Sequence, residues 1–359
     1  MPFWAANGVD AVHGGFVEQL TLDGRDTGVA FKRTRVAARQ VYAFSHARML
    51  GYNGSSDIAR VGIDFLIKRT WQGNDRGFAR VMSRTGDILD PTPDLYDHAF
   101  ALFAFAWRYR ATNDTEARHW MHVTLDFIES HLSHPGGEGF WHELPPTGWR
   151  LQNPHMHLTE ACLAAFESTG ETRFADASLR LVELFQKRLF DHTTATLPEY
   201  FDDNWQPAVD EEGWRVEPGH MMEWAWVLNQ ARKLIGATTH NTIRRLVSCA
   251  EQHGVDGRSG VTFNAMRNDG LPLDRGSRIW PNTERLKAAI ALYETDDVDP
   301  WPVIEQTTAL LLSRFLTRSK PGVWMDAIDA EGQDAAGIVP ASSLYHLMLA
   351  FSEVLRIAD

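Results

Sequence analysis

Apolar residues recur at i, i+3, i+4 and i+7 along most of this chain, in runs too long for strands. Ten of the runs fall into five pairs: 32–50 with 57–70, 95–111 with 115–131, 154–168 with 173–188, 219–235 with 239–253, and 283–293 with 302–317. An eleventh, 342–357, stands alone, and only a helical fragment fits ahead of the first pair. Short glycine–aromatic segments punctuate the pairs. The clearest are Gly14–Gly15–Phe16, Gly77–Phe78 and Gly139–Phe140–Trp141. Weaker copies lie at Leu197–Pro198–Glu199–Tyr200–Phe201, Gly260–Val261–Thr262–Phe263 and Gly322–Val323–Trp324–Met325. Their spacing of about 60 residues marks a repeat architecture.

The first helix of each pair is the more apolar and carries the histidines and aromatics; the second is charged along one side. Alternating inner and outer helices, repeated six times, predict an all-α (α/α)6 barrel with short β-hairpins from the glycine–aromatic loops. An open solenoid of the TPR or HEAT kind has a shorter period. The even spacing predicts one catalytic domain over 1–359. A closed ring gathers polar residues from the starts of its inner helices around one funnel, a natural small-molecule site.

Composition narrows the partners. With 44% apolar residues and 13 tryptophans, the chain can bury a large core. A formal net charge of −12 argues against nucleic acid and anionic membranes. No apolar run is long enough to span a bilayer, and the first residues lack the features of a signal peptide. Cys162 and Cys249 sit in apolar helical runs, as buried thiols would in a reducing cytoplasm. Nothing here indicates a cofactor, and a monomer or homodimer is expected.

Chemistry concentrates at Val216–Trp226. Pro218–Gly219 announces a helix, and negative charge at Glu217 suits its start. His220 and Glu223, three apart, share one face, beside Trp224 and Trp226. An ordinary amphipathic helix with a satisfied core histidine would look the same. Arg33, Arg35 and Arg39 crowd the first helix; Arg39 lies in apolar context, as either a buried ion pair or a cation for a substrate oxygen. Tyr96 could offer its hydroxyl to a polyol or simply pack behind a cap at Asp94. Asn153–Pro154 starts another helix, with His157 and Glu160 again at i, i+3. His155 and His157 diverge on a helix, the spacing is not HExxH and thiolates are missing, so no metal is expected. Trp280 precedes a helix start and could stack on a sugar ring; Glu284 follows in the first turn. His346 opens the last inner helix beside Tyr345.

These segments resemble the N-acylglucosamine 2-epimerase superfamily, which includes N-acetylglucosamine and cellobiose 2-epimerases, D-mannose isomerases and sulfoquinovose isomerases. The resemblance runs through Ala38–Arg39–Gln40–Val41–Tyr42, Leu95–Tyr96–Asp97–His98, Asn153–Pro154–His155–Met156–His157, Glu217–Pro218–Gly219–His220, Trp280–Pro281–Asn282–Thr283–Glu284 and Tyr345–His346. It implies metal-independent chemistry by a histidine pair, His220 and His346, with Arg39 near the reacting oxygens. It also places Tyr96, Asn153, His157, Glu223 and Trp280 against the sugar, and in the same motifs Glu160, as a sugar-binding pair with His157, and Glu284 are further substrate-binding candidates. Members usually have a further helix ahead of the first Gly-Gly-Phe loop, so either the barrel lacks part of one helix or the start of the chain is set late. The favoured reaction is D-mannose to D-fructose through an enediolate, with Glu223 orienting His220 or binding a hydroxyl. A 2-epimerase and a sulfoquinovose isomerase are the alternatives. A glycoside hydrolase using Glu160, Glu217, Glu223 or Asp97, or a non-catalytic sugar-binding barrel, is more remote. No phosphate-binding loop for a nucleotide effector is present.

Overall fold

The computed structural model describes residues 1–317 and 320–358. All eleven expected runs are helical, and a six-residue helix, α1 (Pro2–Asn7), precedes them. The inner helices are α2 (Thr34–Met49), α4 (Leu95–Thr112), α6 (Asn153–Thr169), α8 (Pro218–Ile235), α10 (Ile279–Asp296) and α12 (Leu344–Ala358). Each packs on the next, and α12 returns to α2, so the ring closes. The outer helices are α3 (Ser55–Phe65), α5 (Thr115–Phe127), α7 (Thr172–Leu184), α9 (His240–Gly254) and α11 (Trp301–Leu310). All but α9 end in a wider π-helical turn, which the periodicity did not announce.

Packing explains the two kinds of helix. A helix apolar on all sides must be buried, and α4 buries every residue from Phe100 to Trp107. An amphipathic helix covers the ring with one stripe, as α9 does with Ile243, Leu246, Val247 and Ala250. The short α1 takes the remaining outer place. Trp4 stacks on Trp324 at 5.2 Å, and its Nε1 donates to the Gly322 carbonyl at 2.8 Å. Gln19–Thr21 pairs antiparallel with Ile338–Pro340 across the same seam. Two starts differ from expectation: the first inner helix begins at Thr34, because Phe31–Arg33 is a strand, and α10 begins at Ile279, ahead of Trp280.

The hairpin loops are tied to the inner helices by one recurrent device. His98 Nδ1 donates to the Asp94 carbonyl at 2.7 Å, leaving Nε2 to accept the Phe78 amide at 2.9 Å. His155 does the same between Leu151 and Phe140, at 3.0 Å each. Asn282 supplies the equivalent pair to Arg278 and Thr262. Burial holds His98 down to about 4 and His155 to about 3, so both imidazoles are neutral. His98 and His155 are therefore scaffold, not part of one funnel-facing tier of histidines.

Each loop also carries at least one left-handed residue. Gly77 (φ 64°) and Gly260 (φ 76°) fill that place, but in the fourth copy it is Ala195 (φ 61°). The amide of each bonds the carbonyl four residues back. A Cβ in this conformation costs about 1–2 kcal/mol. Ala195→Gly, despite its greater unfolded-state freedom, is expected to raise the unfolding free energy by about 0.5–1 kcal/mol in denaturant titration.

Candidate active site

Six inner helices deliver residues of their first two turns to one cavity of about 260 Å³. Arg39 comes from α2, Tyr96 from α4, Asn153 and His157 from α6. His220 and Glu223 come from α8, Trp280 from α10 and His346 from α12. All eight were sequence candidates. Glu217, Arg278, Asp326, Ser342 and Ser343 line it as well.

Trp280 stands between the two histidines. Its ring lies 5.0 Å from that of His220 and 5.5 Å from that of His346, centroid to centroid. Gly219 makes this approach possible. A Cβ there would sit 2.6 Å from the indole. The Pro218–Gly219 pair thus both starts α8 and seats the indole on its first turn.

Each histidine has a carboxylate at Nδ1, but the surroundings differ. His220 Nδ1 is 3.0 Å from Glu199 and 3.7 Å from Glu217. Burial works against its charge, yet Glu199 and Glu217 outweigh it and raise the imidazole to about 9. His346 Nδ1 is 2.8 Å from Glu284 Oε1. Burial, then the charges of Arg39 and Lys287, hold it well below 6.5. At neutral pH the cavity presents one imidazolium and one neutral imidazole. Because both Nδ1 atoms are engaged, the Nε2 atoms are the ones free for other chemistry.

The three arginines of the first inner segment separate. Arg33 pairs with Glu18 at 2.8 Å, and Arg35 with Asp97 at 2.8 Å and Asp94 at 3.2 Å. Arg39 is only 7% exposed and has no carboxylate partner among the described residues. It donates to the Tyr96 hydroxyl at 2.6 Å and lies over the rings of Phe100 and Tyr345 at 4.3 and 5.2 Å. Its Nε has no hydrogen-bond partner among the described residues. Asp94 caps α4 by accepting from the Asp97 amide, as expected.

Three expectations need correction. Glu160 does not join His157 at the sugar pocket. Its Oε2 accepts from Tyr345 at 2.6 Å and lies 3.6 Å from His157 Nδ1, but the side chain borders a second cavity nearer the helices' C-terminal ends; its other oxygen has no hydrogen-bond partner among the described residues. Glu223 does not orient His220; Glu199 does. Glu223 reaches the Tyr345 hydroxyl at 3.4 Å and the cavity. Glu284 lies wholly buried behind the wall, between His346 and Lys287, and not on the cavity surface.

Glu199 and Lys287 were missed. Glu199 lies in one of the weaker copies, which lacks the glycine and carries a carboxylate beside its aromatic pair, a departure that could have marked it. Lys287, three residues after Glu284, is a charge on an apolar face, which is rarely left unpaired. His157, Glu160 and Glu223, and Glu223, Glu284 and His346, form two trios with donors within 4.8 Å. The positive charge these carboxylates meet is the Lys287 ammonium, 2.6 Å from Glu284.

A neutral imidazole, an imidazolium and an unpaired guanidinium around one sugar-sized cavity in an (α/α)6 ring define an enzyme of the sugar isomerase and 2-epimerase class. The chain belongs to the N-acylglucosamine 2-epimerase (GlcNAc 2-epimerase) family, whose model matches residues 14–350. It is similar to the mannose-6-phosphate isomerase of Rhizobium meliloti (strain 1021), 35% identical over 365 residues, covering 99% of this chain and 93% of that protein. It is also similar to the cellobiose 2-epimerase of Bacteroides fragilis, 23% identical over 92% of this chain and 88% of that one. Among solved structures, a D-mannose isomerase superposes with a TM-score of 0.89 at 22% identity, over 99% of this chain and 95% of that chain. No helix among the described residues is long and apolar enough to cross a membrane.

Proposed function

We propose that this protein interconverts D-mannose and D-fructose by proton transfer between C2 and C1. The observation that carries the reading is the pair of histidines flanking Trp280 in one cavity, each with Nδ1 on a carboxylate. The C2 proton of an open-chain aldose is weakly acidic, so its removal needs a base and a stabilised enediolate. His346, neutral, takes the C2 proton. Arg39 holds the developing oxyanion, a fixed charge where charge forms. His220, protonated, supplies a proton. Delivery to C1, with the O2 proton passing to O1, gives the ketose; delivery to the opposite face of C2 gives the epimer. Tyr96, Asn153, His157 and Glu223 take sugar hydroxyls, and Trp280 the C–H face.

Cavity size bears on the substrate. At about 260 Å³, it lies below the about 300–1,000 Å³ usual for drug-sized ligands. One hexose suits it better than the two rings of cellobiose. The name of the Rhizobium relative favours a second reading, mannose 6-phosphate. Against it, Arg278 is already held by Glu217 at 3.4 Å, and Glu217, Glu223 and Asp326 would face a phosphate. The hydrolase reading loses two of its acids, since Asp97 is engaged by Arg35 and Glu160 lies off the cavity. A cytoplasmic location belongs to the same proposal; Cys162 and Cys249 are unpaired thiols.

Incubation with mannose, mannose 6-phosphate, glucose, N-acetylmannosamine and cellobiose in D2O, followed by NMR, tests all of this. Fructose from mannose, with deuterium on C1, is expected. Turnover of cellobiose but not mannose would overturn it. The kcat–pH profile should stay level from below 6.5 and fall as His220 loses its proton near 9. Because that folded-state value is raised, His220 also stabilises the fold fully below about 6.5, and this contribution fades as pH rises through about 9. An alkaline limb below 7 would contradict the assignment of His220 as acid.

A further inference from the structure

Both site histidines place Nδ1 on a carboxylate at nearly the same distance, 3.0 Å at His220 and 2.8 Å at His346. What differs lies behind the carboxylate. Glu199 receives only neutral donors besides His220: the side-chain amide of Gln152 at 2.9 Å and the Glu217 backbone N–H at 3.2 Å. Glu284 receives the ammonium of Lys287, 2.6 Å from its Oε2, while Oε1 holds His346. Lys287 is wholly buried, with its ammonium 4.5 Å from the Trp226 ring centroid. It does not line the cavity, so it cannot touch the sugar.

We propose that Lys287 is the positioning residue of the catalytic base: by pairing with Glu284 it keeps that carboxylate from fixing a proton on His346. This inference rests on the reading of His346 as the base. Glu160, Glu223 and Glu284 bring three buried carboxylates to Lys287. Without its ammonium, the cation most directly available to Glu284 is His346 itself. A carboxylate beside an imidazole favours the imidazolium, and a protonated His346 cannot remove the C2 proton. Around His346 stand Arg39 from α2, His157 from α6, His220 and Glu223 from α8, and Glu284 and Lys287 from α10. Tyr345 is its neighbour on α12, and Asp326 lines the same cavity. Burial and Arg39 also disfavour a proton on this ring, and Lys287 adds to them by engaging Glu284, the carboxylate hydrogen-bonded to it.

The experiment compares kcat and KM across pH for the wild type, Lys287→Met, Lys287→Met with Glu160→Gln, and His346→Asn. For Lys287→Met the acidic limb of kcat is expected to move up by about one pH unit or more. On the acid side of the limb, kcat should lie about tenfold below the wild type for each pH unit of displacement, with KM changing less than about threefold. Glu160→Gln removes one carboxylate that the ammonium balanced, so the double variant keeps the cluster's net charge and its fold. Its limb should stay displaced, because Glu284 still lacks a cation. A folded variant with the wild-type limb and kcat overturns the proposal. If His346→Asn is inactive while both lysine variants behave as wild type, only the role of Lys287 falls. If His346→Asn turns over normally, the base assignment falls and this inference with it.

Discussion

Replacing His346 with asparagine is expected to lower kcat by roughly 10²- to 10⁴-fold, the usual contribution of a positioned acid or base. The asparagine amide can still donate toward Glu284, as Nδ1 does now, so the buried carboxylate keeps a partner and the fold should persist. KM should change little, because the lost interaction acts on the C2 proton and not on the bound hydroxyls. Deuterium exchange at C2 should stop as well. His220→Asn is expected to cost a similar factor, but the two losses should not add. A double variant should be little slower than the worse single one, since residues acting in one proton transfer fail together. Undiminished turnover by either single variant would remove the histidine pair from the mechanism.

Arg39→Met should make the protein more stable and the enzyme worse. The guanidinium is buried and, among the described residues, has no carboxylate partner, one hydrogen bond to Tyr96 and an unpartnered Nε. A buried charge so placed destabilises the fold, and an apolar side chain of similar length should raise stability by about 1 kcal/mol or more. Surrounding rings of Tyr96, Phe100 and Tyr345 offset part of that strain now and would pack against the methionine instead. The same unpaired charge is what an enediolate needs. Its removal should lower kcat by about 10²- to 10³-fold, as loss of an oxyanion donor does. Arg39→Lys should rescue little, because a point ammonium does not reproduce the planar fork. Unfolding by denaturant and initial rates on mannose check both halves. A less stable variant with wild-type kcat would show that Arg39 serves packing alone.

The sequence by itself determined the ring. Helical periodicity set eleven helices and which was inner or outer, and the glycine–aromatic spacing set six repeats, because both are written in neighbouring residues. It also placed His220 and Glu223 on one face of α8, since residues three apart cannot avoid it. Arg33, Arg35 and Arg39 look alike along the chain; only the positions of Glu18 and Asp97 leave Arg39 alone. His155 and His157 are two residues apart, and the fold sends one to a hairpin amide and the other to the cavity. Glu199 meets His220 from a hairpin 21 residues upstream, and Glu284 meets His346 from 62 residues away. Local sequence fixes which face a side chain takes. Which charge it then meets, and whether water still reaches it, is decided only when distant segments close the ring, and those two quantities set a proton's affinity.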